Sequence, residues 1–298
     1  MRLLKRLKHI GEYAIVRVIL FLLNVVPVKV ALLFGAFVGE VAYRLRIRYK
    51  VSFANIKLML GEHAAKAEIE TIMRESYRNF GRSMVEYALL PRLKSKLKEI
   101  VAIENKEVLD SARDSGAILV TGHYGSWELL GAALREYGYP VDFLVGEQKN
   151  ILVDNLMNKL RHRMGIGTIK LGVSSKGVLK ALKERKYVAM LSDQDAGNSG
   201  VIVSFLGFQA STPKGAAAFA LAANVPILTG AIIRNPDKRT HRVRIYRIDP
   251  AESLPKDEAI KMLTEAYTRV LESIIREEPS GWFWAHRRFK STMRGLYK

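Results

Sequence analysis

Ile118-Leu-Val-Thr-Gly-His-Tyr-Gly-Ser-Trp-Glu128 is the stretch that decides the fold class. Its first half, with Ala117, is a short apolar run of the kind a strand shows when both of its faces are buried. Gly122 interrupts it, and after Gly125 and Ser126 a helical pattern runs from Trp127 to Tyr137. A buried strand that delivers His123 at its carboxyl end and then turns into a helix is the corner of an open α/β sheet where ligand sites collect.

The same grammar repeats outward from that corner. Short apolar runs rich in branched residues lie at Ala117–Thr121, Val141–Val145, Tyr187–Leu191, Val201–Phe205, Pro226–Ile233 and Val243–Ile248. Helical stretches separate them at Trp127–Tyr137, Leu152–Met164, Ser174–Arg185, Pro213–Ala223 and Lys256–Glu277. This alternation predicts an α/β fold: a central, mostly parallel or mixed sheet flanked by helices. Ahead of it, Ile69, Ile72, Met73, Tyr77, Phe80, Met84 and Tyr87 fall at spacings of three and four between Glu68 and Leu90, one apolar helix face. Residues 49–100 therefore read as a helical cap on a catalytic domain of residues 49–298, with no internal repeat and no linker.

Residues 1–48 read as an amino-terminal, membrane-associated pair of helices. The apolar region Tyr13–Tyr43 is broken by Arg17, Asn24, Pro27, Lys29 and Glu40, too often for the roughly 20 apolar residues of a bilayer span. Basic residues flank both ends, Arg2, Lys5, Arg6 and Lys8 before and Arg44, Arg46, Arg48 and Lys50 after. That pattern suits an interfacial or re-entrant element with both ends on the cytoplasmic side. No small-x-small cleavage site follows, so the segment is expected to stay.

Composition bounds the rest. With 298 residues, 49% hydrophobic, the chain can bury a large core, which excludes intrinsic disorder. A net charge of +19 implies acidic company: an anionic membrane leaflet, an acidic protein, a phosphorylated substrate or nucleic acid. The basic residues are spread along the chain and no nucleic-acid fold signature occurs, so no nucleic-acid partner is expected. The absence of cysteine removes disulfides, a thiolate nucleophile and thiolate zinc sites.

Four blocks carry candidate chemistry. His123 and Glu128, five positions apart, do not share a face of a continuous helix, but a turn at Gly125-Ser126 lets them meet. A carboxylate on one imidazole nitrogen would fix the tautomer and free the other nitrogen to take an alcohol proton. Asp193 and Asp195 in Ser192-Asp-Gln-Asp195 sit at another strand end, as an anchor for basic groups or, less simply, a metal site. Arg161 and Arg163 lie in a helical Arg-x-Arg that could grip a phosphate or carboxylate. In Gly281-Trp-Phe-Trp-Ala-His-Arg-Arg-Phe-Lys290 the aromatics read as a closing strand on the core, with Arg287 and Arg288 as anion contacts.

In that order, Gly122-His-Tyr-Gly-Ser-Trp-Glu128, Arg161, Ser192-Asp-Gln-Asp195 and Trp284-Ala-His-Arg-Arg-Phe-Lys290 resemble the lipid A biosynthesis late acyltransferases, lauroyl or myristoyl transferases of the glycerol-phosphate acyltransferase-like superfamily. The resemblance covers nearly the whole chain. It implies His123 and Glu128 as a catalytic dyad, and Arg161, Asp193 and Asp195 as supporting residues, with Arg163 and Trp127 joining them as candidate substrate contacts. It also implies acyl transfer from acyl carrier protein, or an acyl-CoA, to a hydroxyl of a glycolipid acceptor, on the cytoplasmic face of the inner membrane among anionic lipids. No cofactor, metal or covalent intermediate is expected. Two departures bear on the acceptor: Ser192 replaces the family's Pro, and Gln148–Asp154 lacks its Arg-Pro-x-Asn lead-in. Relatives with the same His-x4-Glu block act on phosphatidylinositol mannosides, which makes another glycolipid the alternative acceptor. A non-enzymatic protein binding anionic membranes or nucleic acid through charge alone is the alternative of another class.

Overall fold

The computed structural model describes residues 2–172, 174–250 and 254–298; Met1, the first residue of the expected amino-terminal element, lies outside them. Helices α1 (Arg2–Val25), α2 (Val28–Arg44), α3 (Tyr49–Leu60), α4 (Lys66–Leu93) and the short α5 (Leu97–Ile100) come first. There follow β1 (Val101–Ile103), α6 (Lys106–Asp110), β2 (Ala117–Thr121), α7 (Trp127–Glu136), β3 (Val141–Val145), α8 (Ile151–Arg163), β4 (Gly167–Lys170), α9 (Ser174–Lys183) and β5 (Tyr187–Leu191). The chain ends with β6 (Val201–Phe205), β7 (Phe208–Thr212), α10 (Gly215–Ala223), β8 (Ile227–Arg234), β9 (His241–Ile248) and α11 (Lys256–Glu277).

Among the described residues, seven strands form one sheet in the order β1-β9-β8-β2-β5-β3-β4. All neighbours are parallel except β8 and β9, so β1 and β9 run against the other five. The fold is thus α/β with a mostly parallel central sheet flanked by helices. The position of each strand follows from its sequence: β2, buried at all five residues, is central between β5 and β8. The β9 run His-Arg-Val-Arg-Ile alternates instead, burying His241, Val243 and Ile245, while Arg242 and Arg244 pair with Glu104, Glu277 and Glu278.

Three expectations need correction. Val201–Phe205 is a strand, but with β7 it makes a separate antiparallel hairpin outside the main sheet. Trp282, Phe283 and Trp284 form no closing strand: a 3-10 turn at Pro279–Gly281 leads to a single antiparallel bridge between Trp282 and Tyr124. The two tryptophans are core residues, 2% and 1% exposed. Strands β1, β4 and β7 are not among the expected runs: β1 is only three residues long, and β4 and β7 mix Gly, Lys, Gln, Ser and Thr with few apolar residues.

The amino-terminal helices are built into the cap. Helix α2 crosses α4 with backbone against backbone: a Cβ on Gly81 would lie 2.0 Å from the Gly35 carbonyl oxygen, and one on Gly39 would lie 2.1 Å from that of Tyr77. Arg92 caps the end of α1, donating to the carbonyls of Asn24 and Val26 at 3.1 and 2.6 Å. Among the described residues no helix is long and apolar enough to cross a membrane.

Candidate active site

Strand β2 ends in a cavity of about 440 Å³ whose lining includes His123, Trp127, Glu128, Arg161 and Gln194 among apolar walls such as Met84, Leu119, Leu130, Phe143, Met157 and Met190. Two glycines shape it. Gly125 has φ +55°, and a Cβ there would lie 2.0 Å from the Ile232 carbonyl oxygen, so glycine makes the sharp turn between strand and helix. A Cβ on Gly131 would lie 2.1 Å from the Phe143 ring, which therefore packs directly on α7 as part of the wall.

His123 meets a carboxylate, but that of Asp193 rather than Glu128. Its Nδ1 is 2.8 Å from Asp193 Oδ1, and its backbone N–H donates to Oδ2 at 2.7 Å. Gly122 permits this approach, since a Cβ there would lie 2.9 Å from Oδ2. The indole N–H of Trp282 adds a third donor to the carboxylate, at 2.8 Å on Oδ2. Burial alone would push Asp193 up, yet the His123 charge and these hydrogen bonds hold it down at about 2. Burial likewise pushes the His123 imidazole down, and the Asp193 charge and hydrogen bond outweigh it, leaving its pKa raised. With Asp193 ionised, Nδ1 carries the proton and Nε2 is the basic nitrogen. Gln194 stands 3.4 Å from the ring nitrogens, and the Trp127 ring meets the imidazole edge-on at 5.2 Å between centroids.

Glu128 lies in the first turn of α7 and is held by Arg161 of α8. The guanidinium donates from Nε to Oε2 at 3.0 Å and from Nη2 to Oε1 at 2.5 Å. Nη1 donates to Asn158 at 2.8 Å, and Asn158 in turn donates to Asp154 at 3.1 Å, a ladder along one face of α8. The Arg161 carbon lies 5.5 Å from the Tyr87 ring centre and 5.9 Å from that of Phe143. The carboxylate on the imidazole is therefore that of Asp193, and α7 turns Glu128 toward Arg161 on α8 instead. Arg161 is a cavity residue whose fork already grips a carboxylate of the protein.

The remaining candidates separate. Arg163 is exposed and no part of the cavity wall; two positions on a helix differ by about 200°, so it cannot share the face of Arg161. Asp195 accepts from Ser291 Oγ at 2.7 Å while its backbone N–H donates to His286 Nε2 at 3.1 Å. It fastens the carboxyl-terminal segment, and the two aspartates do not converge on a common point. Arg288 is no anion contact: it is 1% exposed, donates to the Ser211 carbonyl at 2.5 Å and to Thr212 Oγ1, and lies over the Phe205 ring. Ser126 occupies the cap position of α7 without a side-chain cap bond.

The site residue that sequence reasoning missed is Trp282. It stood in a block read as core packing, and it is core, but nothing in the sequence says that its one polar atom reaches an aspartate from another strand end. The Tyr87 contact with Arg161 was equally invisible, since it depends on how α4 and α8 meet, whereas Asn158 stands three positions before Arg161 on α8.

Compared with known proteins, residues 2–291 match the model of the family described as bacterial lipid A biosynthesis acyltransferase. Among curated relatives, the lipid A biosynthesis palmitoleoyltransferase of Escherichia coli (strain K12) is 26% identical over 284 residues, 92% of this chain and 89% of the relative. The lipid A biosynthesis lauroyltransferase of the same organism is 26% identical over 290 residues, covering 93% and 91%. A lipid A biosynthesis acyltransferase of Shigella flexneri is also 26% identical, over 92% of this chain and 89% of its own.

Proposed function

Because the chain belongs to the bacterial lipid A biosynthesis acyltransferase family and is an O-acyltransferase, we propose that it moves a fatty acyl chain from acyl carrier protein to a hydroxyl of a lipid A precursor, with His123 as the general base. The observation that carries this reading is the hydrogen bond from His123 Nδ1 to the buried Asp193 at 2.8 Å, inside a cavity with mainly apolar walls. It leaves Nε2 as the proton acceptor, and the apolar walls suit an alkyl chain.

The acceptor hydroxyl gives its proton to His123 Nε2 as its oxygen attacks the thioester carbonyl carbon. The resulting tetrahedral oxyanion needs donors, and the first backbone N–H groups of α7, which have no partner within their helix, are the natural supply. Collapse breaks the carbon–sulfur bond, and the proton on Nε2 passes to the leaving thiolate. Asp193 holds the imidazole in the productive tautomer and stabilises its charged form. Glu128 and Arg161, neutralising each other, form a fixed polar part of the wall, and Trp127 places its ring against the imidazole.

The surface of α1 and α2 supports a reading of membrane association. Most of the exposed large hydrophobic residues lie between Leu4 and Ile47, including Phe21, Leu22, Leu33, Phe34 and Phe37. Exposed apolar residues in this number, flanked by Arg and Lys, fit helices lying in the interface of an anionic leaflet. This surface supports the reading that the enzyme works on the cytoplasmic face of the inner membrane, beside a glycolipid acceptor. A net charge of +19 suits acyl carrier protein, an acidic partner.

The test is transfer in vitro. Purified enzyme in anionic vesicles receives lauroyl- or palmitoleoyl-loaded acyl carrier protein, or the matching acyl-CoA, and either a lipid A precursor or a phosphatidylinositol mannoside. Mass spectrometry should show one added acyl chain on the lipid A precursor from the carrier-protein donor, absent with His123→Ala. Transfer to the mannoside alone, or undiminished transfer by His123→Ala, overturns the reading.

A further inference from the structure

Trp282 is 2% exposed, and its ring packs edge-on against Phe205 and Trp284, with centroids 5.4 and 4.7 Å away. Its indole N–H reaches Asp193 Oδ2 at 2.8 Å, the same oxygen that takes the His123 backbone N–H at 2.7 Å, while Oδ1 faces Nδ1 at 2.8 Å. The backbone fixes this placement on both sides. Gly125 N–H donates to the Gly281 carbonyl at 2.9 Å, and Phe283 N–H donates to the His123 carbonyl at 3.0 Å. A Cβ on Gly281 would lie 2.3 Å from the Tyr124 ring, so glycine lets the segment close on the loop that carries His123. Trp284 supplies a comparison within the same cluster: it is as deeply buried, but its N–H goes to the Pro279 carbonyl at 2.7 Å.

We propose that Trp282 is a positioning residue of the His123–Asp193 pair, holding the carboxylate in the orientation that faces Nδ1 and drawing part of its charge away from the imidazole. The proposal rests on the reading of His123 as general base. A carboxylate that accepts an indole hydrogen bond is a weaker base toward its other partners. Without that bond Asp193 bears more charge on the imidazole, and it is also free to rotate. Both changes hinder catalysis: the first keeps His123 protonated to higher pH, and the second loosens the tautomer. The other charged and titratable groups around the pair are His286 and Arg288 of the carboxyl-terminal segment, Asp195 beside them, and the Glu128–Arg161 ion pair with Tyr87 on the cavity wall. A Trp282→Phe change leaves all of them in place.

The experiment compares Trp282→Phe with Trp284→Phe, using lauroyl-loaded acyl carrier protein and a lipid A precursor in vesicles. Both changes remove one indole N–H from the same cluster. Trp282→Phe is expected to raise the acid-limb pKa of kcat/KM by about half a unit to one unit, and to lower kcat about tenfold with KM nearly unchanged. Trp284→Phe is expected to lower Tm without moving the profile. Superimposable profiles for Trp282→Phe and wild type, or equal shifts in both variants, overturn the proposal. Indole ¹⁵N labelling of the wild-type protein gives a second readout that survives a folding failure of Trp282→Phe. The chain has three tryptophans, and Trp127→Phe and Trp284→Phe assign the Trp282 resonance by elimination. It should titrate with the same midpoint as the acid limb, and a flat response overturns the proposal. Full activity of His123→Ala would instead remove the underlying mechanism, a different result from an unmoved profile in an enzyme that needs His123.

Discussion

Glu128 accepts both of its strong hydrogen bonds from Arg161, at 3.0 and 2.5 Å, and the two side chains are only 6% and 12% exposed. Five positions after the histidine, this carboxylate is committed to a guanidinium on another helix. Removing Arg161 leaves a buried charge uncompensated, a loss of about 3 to 5 kcal/mol. Arg161→Ala should therefore lower both Tm and activity, and Arg161→Lys should restore only part of each, because a point charge cannot replace a bidentate fork. Thermal unfolding and transfer assays on the same preparations check this; full rescue by lysine would show that charge alone matters.

Glu128→Gln keeps the shape of the side chain and removes the charge. If the Glu128–Arg161 pair serves the reaction as well as the fold, kcat should fall at least tenfold, with donor KM little changed. A variant that loses melting temperature and keeps its kcat would make Glu128 a brace between α7 and α8.

Asp193→Asn tests the pairing that the structure puts in place of the expected one. The carboxylate accepts three hydrogen bonds, from His123 N–H, His123 Nδ1 and Trp282 Nε1. An amide accepts through one oxygen only, so its NH₂ faces Nδ1 or Trp282. The first arrangement forces the proton onto Nε2 and removes the base. Turnover should fall by about 10²- to 10⁴-fold, and the double variant with His123→Ala should be hardly worse than His123→Ala alone.

The pH dependence of the wild-type enzyme follows from the same pair. Asp193 raises the His123 pKa above 6.5, and a general base works unprotonated. Activity should fall as pH drops through a value higher than that of a free imidazole, while the ionised state of Asp193, held near 2, does not change over this range. An acid limb centred below 6.5 in kcat/KM would contradict the assignment of His123.

The parts of the fold legible in the sequence were those whose signal is local. Ala117–Thr121 reads as a central strand because both of its faces are buried, and Lys256–Glu277 as a helix because one face repeats every three to four residues. That a histidine, His123, follows a buried strand is equally local. Its hydrogen-bond partner is not local, since Asp193 is 70 residues away and reaches it only because β2 and β5 are parallel neighbours in register, Thr121 beside Leu191. The His-x4-Glu spacing suggested a closer pairing, and the direction in which α7 leaves the Gly125 turn decided against it. Arg163 falls outside the cavity wall for a simpler reason: two positions on a helix do not share a face.

A separate buried cluster predicts how stability changes with acid. His241 is fully buried 3.4 Å from Glu86, whose carboxylate is taken first by Arg234 at 2.5 and 2.7 Å. Burial, with help from the Arg234 charge, holds the imidazole neutral and lowers its pKa to about 4. The unfolded chain binds this proton near pH 6.5, so between pH 6.5 and 4 the unfolded state holds more protons than the native one and stability falls as pH falls. The linked loss is about 3 kcal/mol. Urea unfolding across this range should show it, and His241→Gln should flatten the slope.

The crossing of α2 and α4 gives the sharpest test of packing. Gly81→Ala would place a methyl 2.0 Å from the Gly35 carbonyl oxygen and 3.2 Å from the Gly39 amide nitrogen, and neither backbone can yield without moving its helix. Overpacking of this kind costs about 1 to 3 kcal/mol, and α2 can relieve it only by lifting off α4 and exposing Ala31, Leu32 and Ala36, which are now buried. Gly11 of α1 is the control, since nothing lies within 4 Å of a Cβ built there. Gly11→Ala should raise stability by about 0.5 to 1 kcal/mol through helix propensity. Opposite shifts in Tm are therefore expected from the same chemical change at two helical glycines. A Gly81→Ala variant as stable as wild type would mean that α2 does not rest on α4, and the apolar surface that α2 presents would then be free to adopt another arrangement.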